Sequence, residues 1–452
     1  MLRLKSLLSA LVSGLSRRAA PAASALAAAS GGESAGHAGH DVSLRSVLLR
    51  PATQTQINHR NVIVDAIGVG ITAGVGSFLS VFLVRIGATN FQVGLLTAMP
   101  ALTGMLLAMP VGEFLARRSH IVPWFARSRF AVLSCYVLTG LVPFFIPSQA
   151  QPEAIIVIWA LATIPQTIVS VAFTVVMGGV AGPSGRLALM SHRWSTLGLT
   201  NSITVVLVGQ VLSHFNFPLN YQVVFIGSAI GALISVVFSS SIRLPAVQTP
   251  QHDEPLVSTL RQHGRTLSAN GRFVRFTISQ FVFRGGLALA APLFPIYWVR
   301  NIQASDAAIS AINSTQTFIA MAGYYLWSRV TQRRGQRWVL LVTTLGLSFY
   351  PLLTSLTHTM GPLVFWAGLA GLFSSGVDLV FFDILLGSCP GDQQPAYIGM
   401  YQTTAFMATF LAPLAGTALS DAIGIPSVLV LATALRLAGF ALMALLAVGR
   451  RA

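Results

Sequence analysis

The sequence predicts an all-α integral membrane protein with twelve transmembrane helices in two pseudo-symmetric six-helix bundles. Three observations predict this class: an apolar composition, twelve apolar runs of membrane-spanning length, and an internal repeat that relates the two halves. Of the 452 residues, 54% are hydrophobic and 9% are charged, against about 25% charged residues in an average soluble domain. This composition excludes a soluble enzyme, and the abundant apolar surface excludes a disordered chain.

Each predicted helix is an apolar run close to the length that crosses a bilayer. A hydrocarbon core about 30 Å thick needs roughly 20 helical residues. In hydrocarbon every backbone polar group must be paired, and the runs lack the alternation of barrel strands, so helices remain as the solution. The predicted spans one to twelve cover approximately residues 62–84, 91–112, 130–147, 154–180, 194–213, 221–242, 274–299, 307–328, 338–356, 361–387, 397–419 and 426–448.

The arginines predict how the spans are oriented. Of the 28 basic residues, 27 are Arg, and they concentrate in alternate connections between spans. One side of the membrane, here called the basic end, carries 17 of them even without the N-terminal tail, whereas the arginine-poor end carries only Arg85 and Arg300. Basic connections are retained on the cytoplasmic side. We therefore interpret the net charge of +16 as a topology signal, not as a nucleic-acid footprint, and expect both termini to be cytoplasmic.

The spans divide the chain into four parts. Residues 1–60 form a cytoplasmic tail, 61–243 and 273–452 form the two bundles, and 244–272 form a cytoplasmic linker that can place a helix on the membrane surface. The Ala-, Ser- and Gly-rich part of the tail cannot build a core, which predicts disorder. The start of the tail leaves three interpretations open: a surface helix, a cleaved targeting peptide and an inert segment.

An internal repeat relates the two bundles. The segment VFLVRIGATNFQVG at residues 81–94 aligns with IYWVRNIQASDAAIS at residues 296–310, with one residue inserted. At an offset of 216 the basic pair at 117–118 then meets the basic pair at 333–334. A parallel duplication of this kind places the substrate path at the pseudo-two-fold axis between the halves.

The 6+6 arrangement with basic connections after spans two and eight resembles the major facilitator superfamily over roughly residues 60–450. The signature of that family between spans two and three reads G-x-x-x-D-R-x-G-R-R, and both copies here lack its acid, because Ala116 and Gln332 stand in that position. Glu113 is the acid that can substitute in the first copy, and the second copy keeps the turn glycine. The resemblance implies a conformational gating role for these residues: Gly112, Glu113, Arg117, Arg118, Arg333, Arg334, Gly335 and Arg337.

A few ionisable residues lie inside the spans, where each costs roughly 2.5 to 3.5 kcal/mol on insertion scales and so needs a partner or a function. In the family, spans one, four, seven and ten line a central cavity, which implies a translocation role for Asp65, Arg284, Asp378, Asp383, Gln166 and Thr167. Arg284 and Asp378 can act as a proton-coupling switch or as a static interhelical ion pair. We expect Arg436 on span twelve to be structural and to pair with Asp378 or Asp383.

These features predict a secondary transporter that moves a small solute by alternating access, with proton coupling as an option. The alternative is a facilitator-fold protein that no longer transports and serves as a membrane assembly factor or sensor. The sequence contains no phosphate loop, nucleophile triad or metal cluster, so we expect no enzyme activity, no cofactor, no metal and no nucleic-acid partner. We expect a monomer in the bacterial cytoplasmic membrane, and charge alone does not decide between an anionic and a cationic solute.

Overall fold

The computed structural model describes residues 53–245, 270–388 and 394–449, and within these ranges it is helical without strands. The residues from Asn61 onward form one compact unit, to which all contacts below belong. The tail up to residue 52 and the surface helix predicted for the linker lie outside the described residues.

The helices of the first half follow the predicted spans. Span one comprises Gln54–Gly76 and Leu79–Arg85, span two is Asn90–Ala116, span three is Val122–Phe145, spans four and five share Gln151–His214, and span six comprises Leu219–Gly227 and Ala229–Ser240. The second half repeats this order. Span seven comprises Gly271–Ala290, Leu293–Ile296 and the π-helical turn Tyr297–Asn301, span eight is Asp306–Arg334, span nine comprises Gln336–Ser348 and Tyr350–Ser355, span ten is Met360–Ser388, span eleven is Gln394–Ile423, and span twelve is Ile425–Leu445.

Within the described residues, eleven helical stretches are long and apolar enough to cross a membrane, and span eight is the predicted span missing from that set. Its helix is present and contains 29 residues, but the run Asn313–Thr317 is polar throughout. A polar stretch at membrane depth is tolerated where it faces protein or a water-filled cavity. The polarity of span eight therefore points to a cavity beside it.

Local sequence signals set the ends of span eight. Ser305 precedes the helix, and its side chain accepts a hydrogen bond from the backbone N–H of Ala308. Gly335 follows it with φ at +81°, a conformation that glycine adopts without a steric penalty. The next helix begins at once at Gln336, so spans eight and nine are joined by a one-residue turn.

The helix Gln151–His214 bends back on itself. Near its start Glu153 accepts a hydrogen bond from Gln92, and near its end Val205 accepts one from Ser310. Both partners lie close to the arginine-poor end, whereas a straight helix would separate Glu153 from Val205 by about 78 Å. Spans four and five therefore run in opposite directions, as a six-helix half requires.

Spans one and seven are interrupted at equivalent positions of the repeat. Span one breaks between Gly76 and Leu79, and span seven breaks between Ala290 and Leu293. The break in span seven contains Pro292, which cannot donate the helical hydrogen bond. Discontinuous membrane helices expose backbone groups and occur at substrate sites of transporters. The paired breaks thus favour a substrate site in the region between the halves.

Candidate functional site

A cavity of about 360 Å³ lies beside both helix breaks. Its wall is contributed by spans one, seven, eight, nine, ten and twelve, and we call it the inner cavity. The polar residues in its wall are Ser77, Ser80, Asn313, Gln316, Ser374, Asp378 and Arg436. Apolar and aromatic residues complete the wall, among them Leu287, Phe294 and Trp298. This mixture, with a few polar groups on an apolar background, is typical of small-molecule sites.

Asp378 is the carboxylate of the inner cavity. Tyr324 on span eight donates a hydrogen bond from its hydroxyl to Asp378 Oδ2 at 3.1 Å. Arg284 is not its direct partner: the guanidinium donates to Gln280 Oε1 at 3.2 Å and to the hydroxyl of Tyr401 at 3.3 Å. Arg284 and Asp378 therefore form no ion pair within 4.0 Å in the part of the chain that the structure describes, although Arg284 still acts on Asp378 through space.

Arg436 enters the wall of the inner cavity although it belongs to span twelve. Its side chain is 2% exposed. Nε donates to the carbonyl of Gly286 at 3.2 Å, and Nη1 donates to the carbonyl of Leu347 at 3.0 Å. The expected ion pair with Asp378 or Asp383 is not formed between the described residues. The guanidinium is engaged by the two backbone carbonyls instead of by a carboxylate. A Cβ on Gly286 would lie 2.8 Å from Arg436 Cγ, so the absence of that Cβ lets span twelve approach span seven and bring Arg436 to the cavity.

Asp65 lies in a buried charge cluster at the basic end of the first half. It is 1% exposed, and its carboxylate lies 2.6 Å from Arg129 Nη1 and 3.6 Å from Arg193 Nη2. Ser235 also donates to it at 2.6 Å. The cluster joins spans one, three, five and six. Asp65 is therefore engaged within one bundle and does not belong to the wall of the inner cavity.

The remaining sequence candidates are separate from the inner cavity. Gln166 and Asp383 are exposed, and Thr167 is buried with its hydroxyl donating to the carbonyl of Thr163 at 2.9 Å. None of these three side chains lies in the wall of the inner cavity. The structure thus brings only Asp378 of the six translocation candidates into that wall, with Arg284 nearby.

The two arginines of the arginine-poor end join the halves in a reciprocal arrangement that we call the double latch. Arg85, at the end of span one, contacts Asp306 at 2.7 Å and donates to the carbonyl of Ala304 at 2.8 Å. Arg300, at the end of span seven, donates to Asn90 Oδ1 at 2.6 Å and to the carbonyl of Ala88.

The double latch follows the internal repeat residue by residue. Asn90 and Asp306 are each the first residue of the next helix, and they are separated by the repeat offset of 216, as are Ala88 and Ala304. Arg85 therefore binds Asp306 and Ala304 in the second half, and Arg300 binds the equivalent positions, Asn90 and Ala88, in the first half. From the sequence, both arginines are interpreted only as topology signals. Arg85 and Arg300 both lie in the aligned segments of the internal repeat, and this alignment is the sequence signal that they occupy equivalent positions.

Further contacts close the same end. Asn90 donates to Asp421 on span eleven at 2.6 Å, and the hydroxyl of Tyr221 donates to Asp306 at 2.7 Å. Spans two and eleven pack closely here, because a Cβ on Gly94 would lie 2.4 Å from Thr417 Oγ1. Hydrogen bonds between described residues of the two halves thus cluster at the arginine-poor end.

Comparison with known proteins relates the second half of the chain to a transporter family. A family sequence model described as Major Facilitator Superfamily matches residues 276–452. The solved structure of a mutant of the nucleoside transporter NupG has a TM-score of 0.71 with 12% identity, covering 86% of this chain and 99% of that chain. Residues 276–452 therefore match the Major Facilitator Superfamily model, and the chain shares the fold of this transporter.

Other superfamily structures share the fold at equally low identity. A bacterial homologue of the iron transporter ferroportin in an inward-facing state has a TM-score of 0.68 at 12% identity, covering 86% of this chain and 98% of that chain. A D-xylose–proton symporter has a TM-score of 0.61 at 11% identity, covering 84% and 96%. These similarities show that the chain shares their fold.

A curated relative matches over a shorter region. The staphyloferrin B transporter of Staphylococcus aureus (strain NCTC 8325 / PS 47) is 26% identical over 159 residues, which are 34% of this chain and 37% of the relative. The chain thus spans little more than a third of the length of the curated relative it matches.

Three arginines at positions that resemble the superfamily signature make contacts within their own half. Arg118 stacks over the rings of Phe114 and Trp124 at 4.6 and 5.4 Å. In the second copy Arg334 stacks over Trp338 at 4.9 Å, and Arg337 donates to the carbonyl of Ala444 at 3.3 Å. Arg117 and Arg333 are exposed, a Cβ on Gly112 would meet open space, and the side chain of Glu113 lies outside the described residues.

Proposed function

We propose that the chain is a secondary transporter that moves a small polar solute across the bacterial cytoplasmic membrane by alternating access. The observation that carries this proposal is the double latch, which closes one end of a two-bundle superfamily fold beside a polar cavity. A transporter of this kind alternates by rocking one bundle against the other around a site between them. Such a rocking motion has to break the symmetric contacts of the double latch before the arginine-poor end can open.

The orientation of the chain in the membrane decides which side the double latch closes, and so which conformational state of the transport cycle we propose. The excess of arginines at the basic end supports a cytoplasmic location for that end and for both termini. With that orientation, the double latch closes the external side, and the structure corresponds to an inward-facing or occluded state. The similar transporters act on different solutes, which are named as a nucleoside, D-xylose with protons and staphyloferrin B, so their names do not select a substrate for this chain.

Asp378 is the residue that we propose for proton coupling. It lies on span ten in the wall of the inner cavity, where its carboxylate accepts a hydrogen bond from the hydroxyl of Tyr324 and has Arg284 as a positive charge at longer range. A carboxylate without a direct basic partner can gain and lose a proton as its surroundings change. Arg284, held by Gln280 and Tyr401 on spans seven and eleven, is the positive charge whose movement would change those surroundings.

Proteoliposomes offered a mixture of solutes test the proposal, because the substrate does not have to be chosen in advance. The same mixture is offered to empty liposomes, with and without an inward proton gradient, and the internal contents are compared by mass spectrometry. We expect at least one solute to accumulate only with the protein. Asp378→Asn should lose gradient-driven accumulation and keep solute exchange, because a neutral group can turn over without a proton.

The matched control for this experiment is Glu153→Gln, the neutralisation of an exposed acid at the arginine-poor end. It should transport as the unmodified protein does. Protein-dependent accumulation of no solute at all would contradict transport and favour the assembly factor or sensor. Gradient-driven accumulation by a well-folded Asp378→Asn protein would leave transport standing and remove this residue from the coupling mechanism.

A further inference from the structure

Arg436 is a buried cation that is only partly satisfied by the protein. A guanidinium has five N–H donors, and the two carbonyl contacts engage Nε and Nη1. No carboxylate among the described residues lies within ion-pair distance of Arg436. Burial of an unpaired charge is costly unless a counter-charge is supplied. The group reaches the inner cavity, so a ligand in that cavity can supply it.

Trp298, another residue of the same wall, carries a buried donor without an acceptor among the described residues. Its side chain is 6% exposed, and its indole Nε1 is buried without a hydrogen-bond partner. Buried polar groups are nearly always hydrogen-bonded, so each exception calls for an explanation. An indole N–H can only donate. An acceptor-rich group in this cavity would suit both the indole N–H and the N–H groups of Arg436 that Gly286 and Leu347 do not engage.

The rest of the wall limits the size and charge of that group. A volume of about 360 Å³ accommodates a small molecule. Leu287 and Phe294 provide apolar surface for the body of such a molecule, while Asp378 contributes a negative charge. A carboxylate carries one negative charge, whereas a phosphate monoester carries about −1.5 to −2 at pH 7. A single carboxylate on an apolar body balances Arg436 without adding excess repulsion from Asp378.

We propose that the inner cavity binds a small organic carboxylate and that Arg436 and Trp298 are the residues that select its negatively charged head. This assignment deepens the proposed function and rests on it, because it names the class of solute that the transporter takes. The guanidinium is suited to the task, since its planar fork matches the two oxygens of a carboxylate. Gly286 contributes indirectly by admitting Arg436 to the wall.

Binding to the purified full-length protein tests the assignment with a series of ligands that differ only in the head group. The probes are 3-phenylpropionate, its neutral amide, 3-phenylpropylamine and 3-phenylpropyl phosphate, measured by calorimetry and by the shift in melting temperature. We expect the carboxylate to bind at least about 10-fold more tightly than the amide, because only the carboxylate forms charge-assisted hydrogen bonds. The amine should not bind, and the phosphate should bind more weakly than the carboxylate.

Two variants locate the binding group. Arg436→Gln should weaken carboxylate binding by at least about 10-fold, while Trp298→Phe, which keeps an aromatic ring and removes the N–H, should weaken it by about 3- to 10-fold. The control Arg329→Gln removes one exposed arginine at the basic end and should leave binding unchanged. If Arg436→Gln does not fold, Trp298→Phe decides, because the positive charge of Arg436 stays in place.

Three results would overturn the assignment: equal binding of carboxylate and amide, unchanged carboxylate binding in the folded variants, or no binding by any probe. The proteoliposome experiment separates this assignment from the proposed function. If a neutral or cationic solute is transported and one of these three binding results is obtained, the transporter proposal stands and only the carboxylate assignment is removed. Absence of all transport together with clear carboxylate binding would instead indicate a sensor that uses the same site.

Discussion

Arg85 lies 2.7 Å from Asp306, and this ion pair joins the last residue of span one to the first residue of span eight. Asp306 also accepts a hydrogen bond from the hydroxyl of Tyr221, so one carboxylate connects three helices of both halves. The side chain of Arg85 is 26% exposed and that of Asp306 is 12% exposed. The pair is thus partly shielded from water and is expected to contribute more than a fully exposed ion pair.

Release of the double latch should open the arginine-poor end. We predict that Arg85→Gln combined with Arg300→Gln shifts the protein towards the state open at that end, because both reciprocal contacts are lost. Spin labels at Gln149 and Thr359, one in each half at that end, would report a longer distance by pulsed electron resonance. Arg329→Gln serves as the control for loss of charge. An unchanged distance distribution in the double variant would reduce both arginines to topology signals.

Asp65 should be essential for stability. We predict that Asp65→Asn lowers the free energy of unfolding by about 3–5 kcal/mol, because Arg129 and Arg193 remain buried without their counter-charge. Ser235→Ala removes one neutral donor from the same carboxylate and should cost less than the loss of the charge. Thermal unfolding in detergent measures both effects. Equal melting temperatures for Asp65→Asn and the unmodified protein would contradict a structural role for the cluster.

Adjacent glycines on span seven offer a matched pair. A Cβ on Gly286 would lie 2.8 Å from Arg436 Cγ and 2.9 Å from its backbone nitrogen, whereas the nearest atom to a Cβ on Gly285 is Leu435 Cδ2 at 3.7 Å. We predict that Gly286→Ala costs about 1–3 kcal/mol by separating spans seven and twelve, and that Gly285→Ala is tolerated. Melting temperatures of the two variants compare them directly. Similar stability of both would show that the spans can separate without cost.

The orientation is tested by labelling. We predict that single cysteines at Gln149, Asn216 and Thr357 react with a membrane-impermeant reagent in intact cells, since they lie at the arginine-poor end. Cysteines at His120, His263 and Gln394 should react only after the cells are opened. Cys389 and the buried Cys135 are first replaced to give a silent background. Labelling of the position at 263 from outside would reverse the orientation.

The sequence was sufficient for the fold because membrane solvation acts on each span separately. Apolar length predicts a helix whatever its neighbours are, and the fixed-offset repeat predicts the two halves. The same physics explains why span eight has the weakest apolar signal: its polar run includes Asn313 and Gln316, and both lie in the wall of the inner cavity.

Contacts between helices could not be predicted in the same way. Asp65 pairs with Arg129 and Arg193, which are 64 and 128 positions away in the sequence, and no periodicity encodes such a choice. When a whole span is classed as either central or peripheral, Arg436 falls on a peripheral helix, because it belongs to span twelve. Its inward position depends on the missing side chain of one glycine on another helix, which is visible only once the helices are packed.

The interruptions in spans one and seven have a mechanical consequence for the double latch. Ser77 and Pro292 lie in the interruptions, and Arg85 and Arg300 each follow eight residues later. The segment beyond each interruption therefore resembles a short lever about 12 Å long, hinged at the cavity wall and ending in a latch arginine. We expect any bending at Ser77 to displace Arg85, about 12 Å away, further than it displaces Ser77 itself. A small displacement at the cavity wall should therefore become larger at the double latch, so the segments that end in Arg85 and Arg300 should move first when that end opens.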